Sequence, residues 1–98
     1  MKDSARLGAT HIRNLADREM AVVVGTVRSV TLRPRVNVPA LVVELYDGSD
    51  PLNLVWIGRR EIAGIHPGVT IQASGRVCHQ KGIATLFNPF YEILPHGS

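Results

Sequence analysis

The sequence predicts an all-β protein, a five-stranded antiparallel Greek-key barrel, on the basis of three observations. Five runs rich in β-branched residues follow one another after residue 20. Turn-forming pairs such as Asp47-Gly48 separate most of these runs. The chain has 98 residues, of which 45% are hydrophobic, which is enough for one modest core. We therefore expect an N-terminal extension with a short helical turn over residues 1–19, an OB-type barrel over 20–94 and a disordered tail over 95–98.

The N-terminal extension contains one candidate helical segment. Residues 10–19 place Ile12 and Leu15 on one helical face, with Thr10 as the candidate N-cap. One or two helical turns are not stable alone, so this segment must dock on the barrel.

The five strands are expected in a simple order. They span residues 21–32, 40–46, 52–57, 69–78 and 83–87. Gly25 and Gly75 fall inside long strands, at bends or close approaches where a Cβ would clash with neighbouring backbone. A short helix or 3₁₀ turn over 58–64 is expected to close one open end of the barrel. Five strands with one small helix between the third and the fourth match the OB-fold.

Alternation along the strands separates the barrel interior from its surface. The inward-facing residues are Ala21, Val23, Val27, Leu41, Val43, Leu45, Leu52, Leu54, Ile71, Ala73 and Val77. The outward-facing residues are Thr26, Arg28, Val42, Glu44, Tyr46, Asn53, Val55, Thr70, Gln72, Ser74 and Arg76. We expect Trp56 in the core or at the barrel rim. We expect Phe87, Phe90 and Tyr91 to pack the closing strand and the tail.

Four stretches, taken in this order, resemble OB-fold nucleic-acid-binding domains of the tRNA-anticodon-binding type. They are Val23-Val-Gly-Thr-Val27, Leu45-Tyr-Asp-Gly48, Pro67-Gly68 and Ile71-Gln-Ala-Ser-Gly-Arg-Val77. The closing segment, which ends in Asn88-Pro-Phe-Tyr-Glu92, resembles most the wedge domain of helicases that remodel branched DNA. The resemblance covers roughly residues 12–94 and implies a nucleic-acid partner. The 98 residues include no ATPase domain, so the implied activity is one that this chain has alone or through a partner.

Strands two and three of an OB-fold form its usual ligand platform, framed by the first-to-second and fourth-to-fifth loops. Tyr46 is the aromatic side chain best placed there to stack on a base; the alternative is a surface tyrosine that packs on Asn53 or Val55. Cations in both framing loops are candidates to hold phosphates, or are ordinary solvated surface residues. The candidate nucleic-acid-binding residues are Tyr46, Arg28, Arg33, Arg35, Asn53, Arg59, Arg60, Arg76, His79 and Lys81.

Catalysis and metal binding have little support in the sequence. The candidate carboxylates are scattered without a recognisable spacing: Glu44, Asp47, Asp50 and Glu61. Cys78 and His79 are strand neighbours, so their side chains point to opposite faces. The other histidines lack the spacing of a helical metal site: His11, His66 and His96. We therefore predict a protein that is not an enzyme and has no metal or cofactor.

Composition limits the cellular setting and the partner. Eleven Lys and Arg against eight Asp and Glu give a net charge of +3, a mild basic bias compatible with a polyanion. A single cysteine excludes an internal disulfide framework and fits a reducing compartment. Because no run of 18 apolar residues and no signal peptide is present, we expect a cytoplasmic protein without a membrane association.

A protein partner is the rival prediction. The outer face carries more valines than a small monomer usually exposes: Val22, Val24, Val42 and Val55. The N-terminal turn could cover part of them through Ile12 and Leu15. A second copy of the chain or another protein could cover the rest, which predicts a homo-oligomerising or protein-interaction module.

Overall fold

The computed structural model describes residues 9–33 and 38–95. A single turn of 3₁₀ helix, Ile12–Asn14, precedes the strands. The strands are β1 Met20–Arg33, β2 Ala40–Tyr46, β3 Pro51–Ile57, β4 Thr70–Gln80, β5 Ile83–Phe87 and β6 Phe90–Ile93. All five predicted strands are present within one or two residues of their expected bounds. The short β6, which pairs with β4, was not predicted as a strand.

The barrel closes because β1 is long enough to pair on both sides. Its first half pairs with β4 and its second half with β2, and Thr26 belongs to both ladders. The order β1-β2-β3-β5-β4 then returns to β1. The prediction of an all-β, OB-like barrel is confirmed. One detail of it was wrong, since β3 and β5 run parallel while the other pairs are antiparallel.

A β-bulge in β1 decides which of its side chains face outward. The register shifts between Val27 and Ser29, which makes Arg28 the extra residue of the bulge. Strict alternation from Val27 would turn Arg33 inward. Beyond the bulge the alternation is reversed, so Val30 packs against the core and Arg33 is exposed.

The barrel interior contains every side chain that alternation assigns to it. Every residue of the inward-facing set is buried, and Trp56 joins them with 5% of its surface exposed. On the outer side, Val42 and Val55 are also buried, because they form a second small cluster with Ala40 and the half-buried Ile57. These two valines therefore need no partner to cover them.

The segment between β3 and β4 is not the helix that the sequence predicts. Residues 58–69 form a series of turns. Gly58 and Gly64 have φ values of 82° and 76°, which a right-handed helix does not accommodate. The segment still closes one end of the barrel as expected, because Ile62 and Ile65 are buried in the main core near the end of β3.

The N-terminal segment closes the opposite end of the barrel. Ile12 and Leu15 belong to the main core, so they do not cover the outer valines as expected. Thr10 is not an N-cap: its backbone N–H donates to the Val22 carbonyl at 2.8 Å. The turn begins after His11 and has no capping hydrogen bond from that side chain.

The two strand glycines differ in what surrounds them. A Cβ on Gly25 would lie 2.8 Å from the carbonyl oxygen of Tyr46 and 3.0 Å from Cγ of Leu45, so the predicted crowding is real there. A Cβ on Gly75 would lie 3.7 Å from its nearest neighbour, the Cα of Pro89. That is an ordinary contact distance, and the expectation of a clash at Gly75 was wrong.

Candidate nucleic-acid interface

Tyr46 and Arg28 form one unit on the outer face of β1 and β2. Tyr46 ends β2 opposite Thr26, and 37% of its surface is exposed. The bulge carries the Arg28 guanidinium over the phenol ring, with its carbon 4.5 Å from the ring centre. This cation–π contact occupies one face of the ring and leaves the rest open to a ligand.

The centre of the same face is mixed in polarity. Asn53 lies half-buried in β3, opposite Glu44 on β2. The next outward pair is the buried Val42 and Val55. The centre of the face therefore presents a carboxylate to an approaching polyanion, while its two valines are buried.

Three of the predicted arginines lie near one end of this face, where β1 ends, β2 begins and β3 ends. Arg33 is opposite Ala40, which in turn pairs with Ile57. The Gly58 N–H donates to the Pro39 carbonyl at 2.7 Å and holds the start of the Arg59-Arg60 segment next to the start of β2. Arg33, Arg59 and Arg60 are exposed. The ion pairs within 4 Å among residues 9–33 and 38–95 do not include any of these three arginines.

The remaining predicted residues do not join this group. Arg76 lies on β4 opposite Met20, and its guanidinium donates to the Arg18 carbonyl at 2.7 Å. The backbone N–H of His79 donates to the Asp17 carboxylate at 3.1 Å, and its ring lies 3.5 Å from that group. Lys81 is exposed in the β4–β5 turn. Arg35 lies outside the described residues.

Asp47 is a structural residue of the β2–β3 hairpin. Its carboxylate accepts hydrogen bonds from the Ser49 hydroxyl at 2.6 Å and from the Ile12 N–H at 2.8 Å. Burial raises the pKa of Asp47, but these bonds and those from the N–H groups of Ser49 and Asp50 lower it, and the net pKa lies below its ordinary value. The Ile12 N–H is one of the unpaired donors at the start of the 3₁₀ turn. Asp47 therefore caps that turn from a distant part of the chain.

The residues that the structure describes do not form a metal-binding site. Among them, no three His, Cys, Asp or Glu side chains gather closely enough to hold an ion. Cys78 is half-buried, with the Gln80 amide donating to its Sγ at 3.2 Å.

A groove between β3 and β6, which we call the β3–β6 groove, was missed by the sequence reasoning. It has a volume of about 440 Å³, and its lining includes Ile57, Arg59, Asn88, Phe90 and Tyr91. Phe90 is 81% exposed, so the expectation that it packs the tail was wrong. The sequence signal for the exposure of Phe90 is Pro89. A proline cannot donate a hydrogen bond to a β-ladder, so the alternation of buried and exposed side chains in β5 does not continue to Phe90.

Several solved structures have a similar fold, including the following two. One is the HINb domain of p204, with a TM-score of 0.73 and 12% sequence identity over 93% of this chain and 49% of that chain. The other is RecG, in a structure of RecG bound to a three-way DNA junction, with a TM-score of 0.68 and 19% identity over 91% of this chain and 13% of RecG. The chain thus spans about half of the first protein and a small part of the second. No protein family and no curated protein sequence matches it.

These likenesses show the fold: the chain is an OB-like β-barrel domain. Among the residues that the structure describes, no helix is long and apolar enough to cross a membrane.

Proposed function

We propose that this chain is a non-catalytic OB-fold module that binds single-stranded or branched nucleic acid across the outer face of β1, β2 and β3. The observation that carries the proposal is the Arg28–Tyr46 pair on that face. A stacked arginine and aromatic ring offer a base a π surface beside a fixed positive charge. Aromatic stacking and a cationic surface together are typical of binding to single-stranded nucleic acid.

The arginines at the other end of the face support the same function. Arg33, at the end of β1, and Arg59, two residues after β3, are exposed, and Arg60 follows directly. Arginine holds phosphates through a rigid fork of donors, and such contacts add affinity without base specificity. Because the Glu44 carboxylate lies between the two ends of the face, we expect a modest overall affinity.

The fold likeness supports the choice of partner. One similar structure shows RecG bound to a three-way DNA junction. The sequence resemblance to wedge domains of branched-DNA helicases leads to the same class of ligand. OB-folds also bind sugars and proteins, so the ligand must be argued from the site and tested.

A protein-interaction or homo-oligomerising module is the second candidate. Large hydrophobic side chains that are exposed on the barrel favour it, above all Met20 and Phe90, at 63% and 81% exposure. Apolar surface of this kind on a small domain is often an interface.

The test is a titration of labelled single-stranded, duplex and forked oligonucleotides at two salt concentrations. Four phosphate contacts to a single strand, from Arg28, Arg33, Arg59 and Arg60, predict a slope of about −2.8 in log K against log salt, which is roughly 50-fold weaker binding at 200 mM than at 50 mM salt. Arg59→Ala should make the slope shallower by about 0.7. Arg13→Ala, which removes the same charge from the opposite end of the barrel, is the matched control. No binding at low salt, or equal effects of the two variants, would favour the protein-interaction function.

A further inference from the structure

The β3–β6 groove has a rigid floor. The rings of Trp56 and Tyr91 meet edge to face, with centres 5.7 Å apart and planes at 78°. The Tyr91 hydroxyl donates to the Ala63 carbonyl at 2.9 Å. A hydrogen-bonded tyrosine against a buried tryptophan leaves the floor little freedom to collapse into the groove. The volume of about 440 Å³ falls within the ~300–1,000 Å³ of small-ligand sites.

The wall that carries Phe90 is held in place by the corner between β5 and β6. Asn88 has a φ of 50°, in the left-handed region. Its N–H donates to the Val55 carbonyl at 2.7 Å, and its side-chain oxygen accepts from the Ile57 N–H at 3.0 Å. Two bonds to β3 therefore fix a strained corner, which is the kind of preorganisation found at binding sites. Since the oxygen is used, the amide nitrogen of Asn88 remains as a donor for a ligand.

Phe90 is the most exposed large hydrophobic residue of the described chain, at 81%. Unlike Tyr46, it has no ring or cation stacked on it among residues 9–33 and 38–95. Both faces of a benzene ring are costly to leave in water, and either can take a flat partner. The ring is thus available for stacking without displacing another group.

Charge distinguishes among the possible occupants. Among residues 9–33 and 38–95, Arg59 is the one charged residue that lines the groove, and the other lining residues are apolar or neutral. A flat apolar body joined to an anion matches this combination. An unpaired nucleobase with its phosphate has that form, whereas a paired base in a duplex cannot present its face to Phe90.

We propose that the β3–β6 groove binds one unpaired base of a single-stranded nucleic acid, with the base on Phe90 and the adjoining phosphate at Arg59. This inference rests on the proposed function and extends it, because it makes the single strand the preferred form. The groove is separate from the Arg28–Tyr46 pair, so the two places would take different nucleotides of one strand.

The test uses Trp56, the single tryptophan of the chain, as a reporter inside the groove. A labelled oligothymidylate of about 12 nucleotides, within the ~4–16 that one OB-fold covers, is titrated while its anisotropy and the Trp56 emission are recorded. We expect both signals to change with the same midpoint. Phe90→Ala should weaken binding roughly 5- to 150-fold and abolish the Trp56 change, because it removes one stacked base. Phe90→Tyr should retain both.

Two controls separate the possible outcomes. Met20→Ala removes another exposed hydrophobic side chain, on β1, and should leave binding unchanged. Blunt duplex DNA should bind the wild type and Phe90→Ala equally. A flat anisotropy curve for the wild type would refute the proposed function itself. Wild-type binding that Phe90→Ala leaves intact, with constant Trp56 emission, would refute only the groove. Loss of self-association in Phe90→Ala with unchanged oligonucleotide binding would make the groove a protein-docking surface instead.

Discussion

The Arg28 guanidinium lies 4.5 Å above the ring of Tyr46, a residue on the neighbouring strand. The contact exists because a bulge inserts Arg28 as an extra residue where β1 passes the end of β2. A cation held on an aromatic ring is already ordered. The protein would therefore lose less side-chain entropy when it binds a nucleic acid there. The two side chains should therefore act together in binding.

The first prediction is that Tyr46 and Arg28 are energetically coupled. Tyr46→Ala should weaken oligonucleotide binding by about 1–3 kcal/mol and leave the salt slope nearly unchanged, because stacking releases no counterions. Arg28→Ala should weaken binding and also reduce the slope by about 0.7. The double variant should lose less than the sum of the two, since each removes part of the same contact. A double-mutant cycle by anisotropy measures this, and strictly additive losses would contradict it.

The second prediction separates arginines by their surroundings. Arg76 is held on the Arg18 carbonyl and lies on the β1–β4 side of the barrel. Arg76→Gln should therefore leave oligonucleotide affinity and salt slope unchanged, while Arg33→Gln should reduce both. Salt-dependent titrations of the two variants provide the measurement. A larger effect of Arg76 would place the ligand on β1 and β4 instead of β2 and β3.

The third prediction concerns the two glycines. Gly25→Ala should destabilise the fold by about 1–3 kcal/mol, because the new methyl group meets the Tyr46 carbonyl oxygen at 2.8 Å. Gly75→Ala should change stability by less than about 0.5 kcal/mol, since its nearest neighbour would be 3.7 Å away. Thermal unfolding distinguishes them, at about 4–8 °C per kcal/mol for a domain of this size. Equal melting temperatures would show that β1 moves away from Tyr46 at little cost.

The fourth prediction is a loss of stability in acid that depends on Asp47. The pKa of folded Asp47 lies below its ordinary value, so its carboxylate stabilises the fold above about pH 4 and this contribution is lost as the pH falls through the folded value. Asp47→Ala should cost about 1–3 kcal/mol at neutral pH, because the Ile12 N–H loses its partner. The variant should also show a shallower decline in stability below pH 4 than the wild type. Asp50→Ala, an exposed neighbour, is the control.

Chemical denaturation at several pH values would measure both effects. A decline of the same steepness in Asp47→Ala and in the wild type would mean that other carboxylates govern the acid response.

Local patterns along the chain were sufficient to place β1 to β5 and to identify the side chains that fill the barrel. Alternation is a property of each strand alone, so Val23, Leu45, Leu54 and Ile71 could be assigned to the core before any pairing was known. The glycine argument predicted the close approach at Gly25 correctly, but it also predicted one at Gly75 that is absent, because the crowding depends on what the folded chain places beside each glycine. The outward position of Tyr46 was predicted in the same way, from its parity on β2.

Contacts between distant parts of the chain decided the rest. The bulge at Arg28 depends on how β1 pairs with β2, and it reverses the orientation of every later residue in β1, including Arg33. Asp47 caps a turn 35 residues away, which no local spacing encodes. Phe90 is exposed because Asn88 fixes a corner against β3, a strand more than 30 residues earlier. Sequence periodicity therefore determined the barrel and its core. The tertiary structure decided which outward side chains share a surface, because that depends on strand register and on turns that only the closed barrel holds in place.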